Sequence, residues 1–152
     1  MTPSAVTPED HLALSVLSQQ YATAVDRRDR TSFLDVFHPD AVLRIFNPAE
    51  SDQPTAELAG LEQLGEVTTR IARFDRTFHF VGAGLYDVAV DTASGEVPCI
   101  AHHLTRGDDT TDYVMYIRYV DEYLRDDAHG WRISTRTLFV EWTDTRPMAD
   151  GR

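Results

Sequence analysis

Residues 78–142 read FHFVGAGLYDVAV (78–90), DTASG (91–95), EVPCIAHHLTR (96–106), GDDTT (107–111), DYVMYIRYVDEYLR (112–125), DDAHG (126–130) and WRISTRTLFVEW (131–142). Four long runs rich in β-branched and aromatic residues are separated by three short segments of turn-forming residues, which predicts an antiparallel meander. The glycines of VGAG invite a bulge or bend in the first run. In the third run, Tyr113, Met115, Ile117 and Tyr119 alternate with Val114, Tyr116, Arg118 and Val120, so both faces carry large apolar groups. That strand should be central in the sheet.

Upstream, the pattern is helical. Thr7-Pro8-Glu9-Asp10 supplies a capping residue, a proline at the first helical position and acids in the first turn. Leu14, Leu17, Tyr21 and Val25 then recur at 3/4 spacing, making one apolar stripe on a helix that ends near Asp29. Thr31 is placed to cap a short helix over TSFLDVF, stopped by His38-Pro39-Asp40, and AVLRIF (41–46) reads as a strand. Residues 47–57 are polar with two prolines and read as a loop, either a lid over an opening or a plain surface connection. Leu61, Leu64, Val67 (or Thr68) and Ile71 predict one long helix from Gly60 to Phe74. Helices followed by strands predict an α+β domain, its helices packed on one face of a curved antiparallel sheet. With 152 residues and no internal repeat, a single domain is expected over 1–152, with its core at about 8–143 between short flexible tails.

Composition narrows function. Twenty-five acids against fourteen bases give a net charge of −11, which disfavours a phosphate backbone or an anionic membrane surface as partner. All fourteen bases are arginine, so a lysine Schiff base is excluded. Cys99 is the single cysteine, which excludes an intrachain disulfide, a multi-cysteine zinc site and an iron–sulfur cluster. It fits a reducing, cytoplasmic setting, and the N-terminus shows neither a signal-peptide pattern nor a membrane span.

YATAVDRRD (21–29), FLDVFHPDAV (33–42), FHFVG (78–82) and the late Trp131-x-Ile133-x-x-Arg136, in this order, resemble the SnoaL-like branch of the nuclear-transport-factor-2-like superfamily, which includes polyketide cyclases and scytalone-dehydratase relatives. The resemblance runs from about Glu9 to Trp142 and implies a cone-shaped sheet closed by helices around a deep apolar pocket. It also implies a site. In bile-acid dehydratase and dehydrochlorinase-like members, a strand histidine is oriented by an aspartate near the end of the first helix, matching His79 and Asp26. The dehydratase-like members add a tyrosine and a last-strand arginine, matching Tyr21 and Arg136. No metal and no cofactor is implied. Relatives commonly form homodimers or homotrimers, and a small hydrophobic oxygenated molecule is the implied ligand.

Those residue types suit elimination. Neutral imidazole, with an ordinary pKa of about 6.5, can remove a proton beside an activating group, and a carboxylate on its other nitrogen fixes the tautomer. Tyr21 would polarise a carbonyl or a departing hydroxyl, and Arg136 would hold an anion or offset enolate charge. A dehydratase-type lyase is the leading expectation, with aldol-type cyclisation and a double-bond shift open to the same groups. A non-catalytic accessory subunit, like the small subunits of ring-hydroxylating dioxygenases, is the alternative from another class. Each residue also has a structural reading. Tyr21 sits on the core stripe; Asp26, at about 140° from it, could be a solvated acid pairing with Arg27 or Arg30. His79 faces the side of Thr77 and Val81, which would be either cavity or core. His102 and His103 point to opposite faces, so they do not share a metal ion, and at most one enters the pocket as a second polar group. Tyr116, Phe139 and Trp142, with Phe74, offer aromatic surface for substrate. The other face of the central strand would pack on helices or on a second subunit.

Overall fold

The computed structural model describes residues 7–149, so the extreme ends of the expected tails lie outside the described residues. Helix α1 spans Pro8–Arg27 and opens with a full capping box: Thr7 accepts from the Asp10 backbone, and the Asp10 carboxylate accepts from the Thr7 backbone. Asp10 also accepts from Arg125 at 2.7 Å and from the Trp131 indole at 3.0 Å, which fastens this helix end to the sheet. Helix α2 follows at Arg30–Asp35, capped by Asp29 rather than by Thr31. His38-Pro39-Asp40 is not a helix stop: it lies inside strand β1, Phe37–Phe46, where the register shifts between Phe37 and Val42. A bulge tolerates the missing proline donor there.

Strand β2, Ala56–Ala59, takes over the end of the segment expected to be loop. The helix expected over Gly60–Phe74 is broken in two, α3 at Gly60–Leu64 and α4 at Glu66–Ile71. Gly65 is the break, and the Arg30 guanidinium occupies the space a side chain there would need. The first β-run also divides, into β3 (Arg76–Val81) and β4 (Leu85–Val88), at the glycines that suggested a bend. The remaining strands are β5 (Thr92–Thr105), β6 (Thr111–Asp126) and β7 (Gly130–Pro147), the last running beyond the expected core boundary.

The seven strands form one sheet in the order β2-β1-β7-β6-β5-β3, with β4 also paired to β5. β1 and β7 are parallel and every other pair is antiparallel. β6 is central, as its two-faced pattern required. The result is an α+β domain with an open curved sheet: α1 packs over the concave face, and Leu14, Val25, Phe33, Phe37, Val97 and Ile133 are buried between the layers. The convex face is strongly apolar. Phe78, Phe80, Leu85 and Trp142 are each at least 60% exposed there.

Candidate functional site

Strand β3 settles which side His79 faces. Phe78 and Phe80 point outwards, whereas Thr77 is buried and Val81 packs on the core, so His79 between them points inwards. Asp26 meets it from the last turn of α1. Its Oδ1 lies 2.7 Å from His79 Nδ1, and its Oδ2 accepts the His79 backbone N–H at 2.9 Å. The Thr77 hydroxyl donates to Oδ1 at 2.9 Å. Three donors therefore converge on one carboxylate. Burial alone would raise the Asp26 pKa, but the His79 ring, the His79 backbone and Thr77 together hold it below the ordinary value. An ionised carboxylate only accepts, so Nδ1 carries the proton and Nε2 keeps its lone pair.

Asp26 reaches this position because helix α1 is buried over a wide arc. Ser18 and Ala22 are buried alongside Leu14, Leu17, Tyr21 and Val25. Asp26 follows Ala22 by one turn, offset by about 40°, so it continues the edge of the buried face. Arg28 then locks the helix end. It adopts the left-handed conformation (φ 56°) as C-cap, and its Nη1 donates to the Asp26 carbonyl at 2.6 Å and to Thr77 Oγ1 at 3.1 Å. Its Nη2 reaches the Phe74 carbonyl at 3.1 Å. Thr77 and Arg28 belong to this candidate site through their hydrogen bonds to Asp26 and to each other, and sequence reasoning missed them. The adjacent arginines of YATAVDRRD were the only hint, and neither Arg27 nor Arg30 pairs with Asp26 among the described residues.

The dyad opens on a cavity of about 810 Å³. Tyr21, Leu43, Leu58, Ile71, Met115 and Leu138 form much of its wall, and Asn47 and Thr55 from the expected loop line it as well. Tyr21 is nearly inaccessible to solvent, packed edge-on against Phe37 and Tyr119. Burial pushes its hydroxyl up to about 12, so it stays protonated and can donate. Core tyrosine and cavity-lining tyrosine are here one residue.

Of the two adjacent histidines, His103 enters the cavity and His102 does not. His103 is buried beside Phe74 (ring centroids 4.7 Å) and stands edge-on to His79 at 5.8 Å. Its Nδ1 lies 3.0 Å from the Tyr113 carbonyl, which can only accept, so Nε2 is again a lone-pair acceptor. Burial, reinforced by His79 and Arg73, lowers its pKa to about 4. His102 lies on the convex face with Asp112 at 2.7 Å.

Four expected positions need correction. Arg136 does not face the cavity: it is completely buried behind Tyr21 and Tyr119, its guanidinium 4.3 and 4.1 Å from their ring centroids. Its Nε and Nη2 bind the Asp121 carboxylate at 2.9 and 2.7 Å, and Nη2 also reaches Ser18 at 2.8 Å. Burial opposes its charge, and Asp121 outweighs that and keeps it protonated. Tyr116 and Trp142 stack on each other at 4.5 Å on the convex face, outside the cavity. Phe139 stacks on Phe46 at 5.1 Å and carries the Arg118 guanidinium, also on the convex face. Tyr116 and Phe139 follow the opposite parity from Met115, Ile117 and Leu138, which do line the cavity, whereas Trp142 shares the parity of Leu138 and is turned to the convex face by the register shift at Tyr116/Ile117. Cys99 is buried, with its thiol pushed up to about 11 by burial.

Folding stability should register His103. The unfolded side chain takes up a proton near pH 6.5 while the folded one resists until about 4, so the unfolded state binds more protons in that window. Stability present above pH 6.5 is therefore lost as the pH falls towards 4, by about 3 kcal/mol at most. Urea unfolding at pH 7 and pH 4.5 measures it, and His103→Phe should flatten most of the difference.

The family profile of the SnoaL-like domain matches residues 7–137. Comparison with curated proteins gave no match. Solved structures do match along almost the whole chain. A candidate aromatic ring hydroxylase from Novosphingobium aromaticivorans is 24% identical with a TM-score of 0.77, covering 95% of this chain and 96% of that one. A candidate scytalone dehydratase from the same organism is 17% identical with a TM-score of 0.73, over 94% and 93% of the two chains. The hexachlorocyclohexane dehydrochlorinase LinA-type3 of Novosphingobium barchaimii is 18% identical with a TM-score of 0.71, over 95% and 96%. Identities this low speak for the fold, while the profile match spans most of the chain: this protein belongs to the SnoaL-like family, whose scaffold is used by small-molecule-converting enzymes.

Proposed function

We propose that the protein is a cofactor-independent acid–base enzyme acting on a small, hydrophobic, oxygenated molecule, as a dehydratase-type lyase. The observation that carries this reading is the His79–Asp26 pair at 2.7 Å on the wall of a largely apolar 810 Å³ cavity. A carboxylate that fixes one ring nitrogen while the ring lines an apolar cavity is the arrangement a general base requires. In the proposed reaction, His79 Nε2 removes the proton beside a carbonyl, Tyr21 donates a hydrogen bond to oxygen, and a β-hydroxyl leaves as water. Asp26 stabilises the imidazolium that forms. Polyketide cyclase and isomerase chemistry begin with the same enolate, but elimination is favoured by the names of two structural neighbours, a candidate scytalone dehydratase and a dehydrochlorinase. An open cavity, not one filled by side chains, supports the enzyme over the accessory-subunit reading.

The test uses racemic 3-hydroxy-1-tetralone, whose loss of water yields 1-naphthol and is followed by fluorescence, alongside deuterium uptake at its α-carbon. Catalysed exchange or dehydration is expected. Neither process above background, with the probe shown to occupy the cavity, would overturn the reading.

The convex face supports a second copy of this chain as partner. Its exposed Phe78, Phe80 and Trp142 exceed what a monomer usually leaves to water, and its edges carry both signs of charge, Arg118 with Glu141 and Arg146 with Asp144. Sedimentation should show a dimer or trimer that Trp142→Glu converts to monomer. A monomeric wild type would refute this.

A further inference from the structure

The cavity of this acidic protein is lined, among the described residues, by two guanidinium groups and no carboxylate. Both arginines come from the stretch around the end of α4. Arg70 is held by Glu66 at 2.9 Å, so its charge is largely offset. Arg73 has no ion-pair partner among the described residues. Its guanidinium lies over the Phe74 ring at 4.7 Å, the Phe74 ring is 4.7 Å from that of His103, and His103 is 5.8 Å from His79. A continuous row of rings thus runs from an exposed cation at the mouth to the dyad inside.

This row has a chemical meaning. His103, whose charge burial suppresses, presents an acceptor to the cavity, and the His79 ring is committed to the Asp26 carboxylate, so neither is a free cation for a ligand. Arg136, the cation expected there, is committed to Asp121 behind the wall. Any negative group on the ligand must therefore be met at the mouth. The many acids elsewhere on the chain do not prevent this, because at physiological ionic strength their field decays over a Debye length of about 8 Å.

We infer that the ligand of this cavity carries an anionic group, which Arg73 holds at the mouth while the uncharged, oxygenated part of the molecule lies against His79 and His103. This rests on the proposed function and adds the substrate class: a hydroxylated or keto ring bearing a carboxylate or a phosphate. Arg73 acts as a positioning residue, fixing how deep the reacting carbon sits. A planar guanidinium braced on an aromatic ring suits bidentate capture of such a group.

The experiment titrates 2-naphthoate, 2-naphthyl phosphate and uncharged 2-naphthamide into the wild type and Arg73→Gln, with the His79 and His103 ring resonances reporting occupancy. At least one anionic probe should bind the wild type about tenfold more tightly than the amide. The glutamine variant should lose that advantage and keep the amide's affinity, and the advantage should weaken with added salt. The better of the two anions identifies carboxylate or phosphate as the group. Equal affinity of all three probes in the wild type overturns the inference, as does an anion preference that survives in Arg73→Gln. Binding of none of them overturns it too. Turnover of the uncharged 3-hydroxy-1-tetralone is read separately, so the enzyme reading can stand while this inference falls. An unchanged unfolding midpoint in Arg73→Gln shows that the exposed side chain is not structural.

Discussion

Replacing Arg136 by Met is expected to destabilise the fold by about 3–5 kcal/mol. The substitution leaves the Asp121 carboxylate, 1% exposed, without the two hydrogen bonds at 2.9 and 2.7 Å that neutralise it, and among the described residues only the Tyr123 hydroxyl would remain as donor. It also removes the cation between the Tyr21 and Tyr119 rings. Met fills most of the volume, so the loss is electrostatic and not a cavity effect. Adding Asp121→Asn should recover much of the stability, because a neutral amide keeps an oxygen for Tyr123 and no longer needs a counter-ion. Urea unfolding of the wild type, the single variant and the double variant measures both terms. A residue that held a substrate anion at the cavity surface would behave differently: its loss would weaken binding and leave the unfolding midpoint almost unmoved. That result would refute the structural role.

The contrast explains what was legible in the sequence. The fold was readable because it rests on periodicity: the two-faced pattern of 113–120 places β6 at the sheet centre, and strand boundaries follow the GDDTT and DDAHG turns, whereas four of the five residues of DTASG open strand β5. The helix expected over Gly60–Phe74 was right in its buried residues but wrong in its continuity, because Gly65 accommodates Arg30 from a distant turn and local propensity carries no trace of that. The same limit applies to the site. Trp131, Ile133 and Arg136 mark the family, yet each serves structure: Trp131 binds Asp10, Ile133 fills the core and Arg136 neutralises Asp121. An arginine in an apolar row reads equally as a pocket cation or as half of a buried pair, and its partner lies on another strand. Tyr116, Phe139 and Trp142 were misplaced for a simpler reason. Alternation tells which residues share a face, not which face is concave, and bulges at Tyr116/Ile117 and Glu122/Tyr123 interrupt the register.

Changing Asp26 to Asn should cost about 10²–10⁴-fold in the rate of dehydration or α-proton exchange, although the side chain keeps its shape. The reason lies in the donors around it. Oδ2 faces the His79 backbone N–H, a donor that cannot reverse, so the amide must place its oxygen there. Its NH₂ then occupies the Oδ1 position, 2.7 Å from His79 Nδ1 and 2.9 Å from the Thr77 hydroxyl. The hydroxyl can rotate its hydrogen away and accept. The imidazole can adapt only by moving its proton to Nε2, which accepts the amide at Nδ1 and removes the lone pair that faces the cavity. The asparagine would therefore hold the ring in place in the wrong tautomer, an effect of geometry preserved and chemistry lost. Ring-nitrogen NMR distinguishes the two tautomers directly, and the unfolding midpoint should fall only modestly, as the acceptor for the backbone N–H survives. His79→Ala should lose at least as much rate, and the double variant scarcely more than either alone, since the two residues act as one unit. Additive losses, or an Asp26→Asn enzyme of undiminished rate with its ring still protonated on Nδ1, would show that proton transfer in this cavity does not run through the dyad.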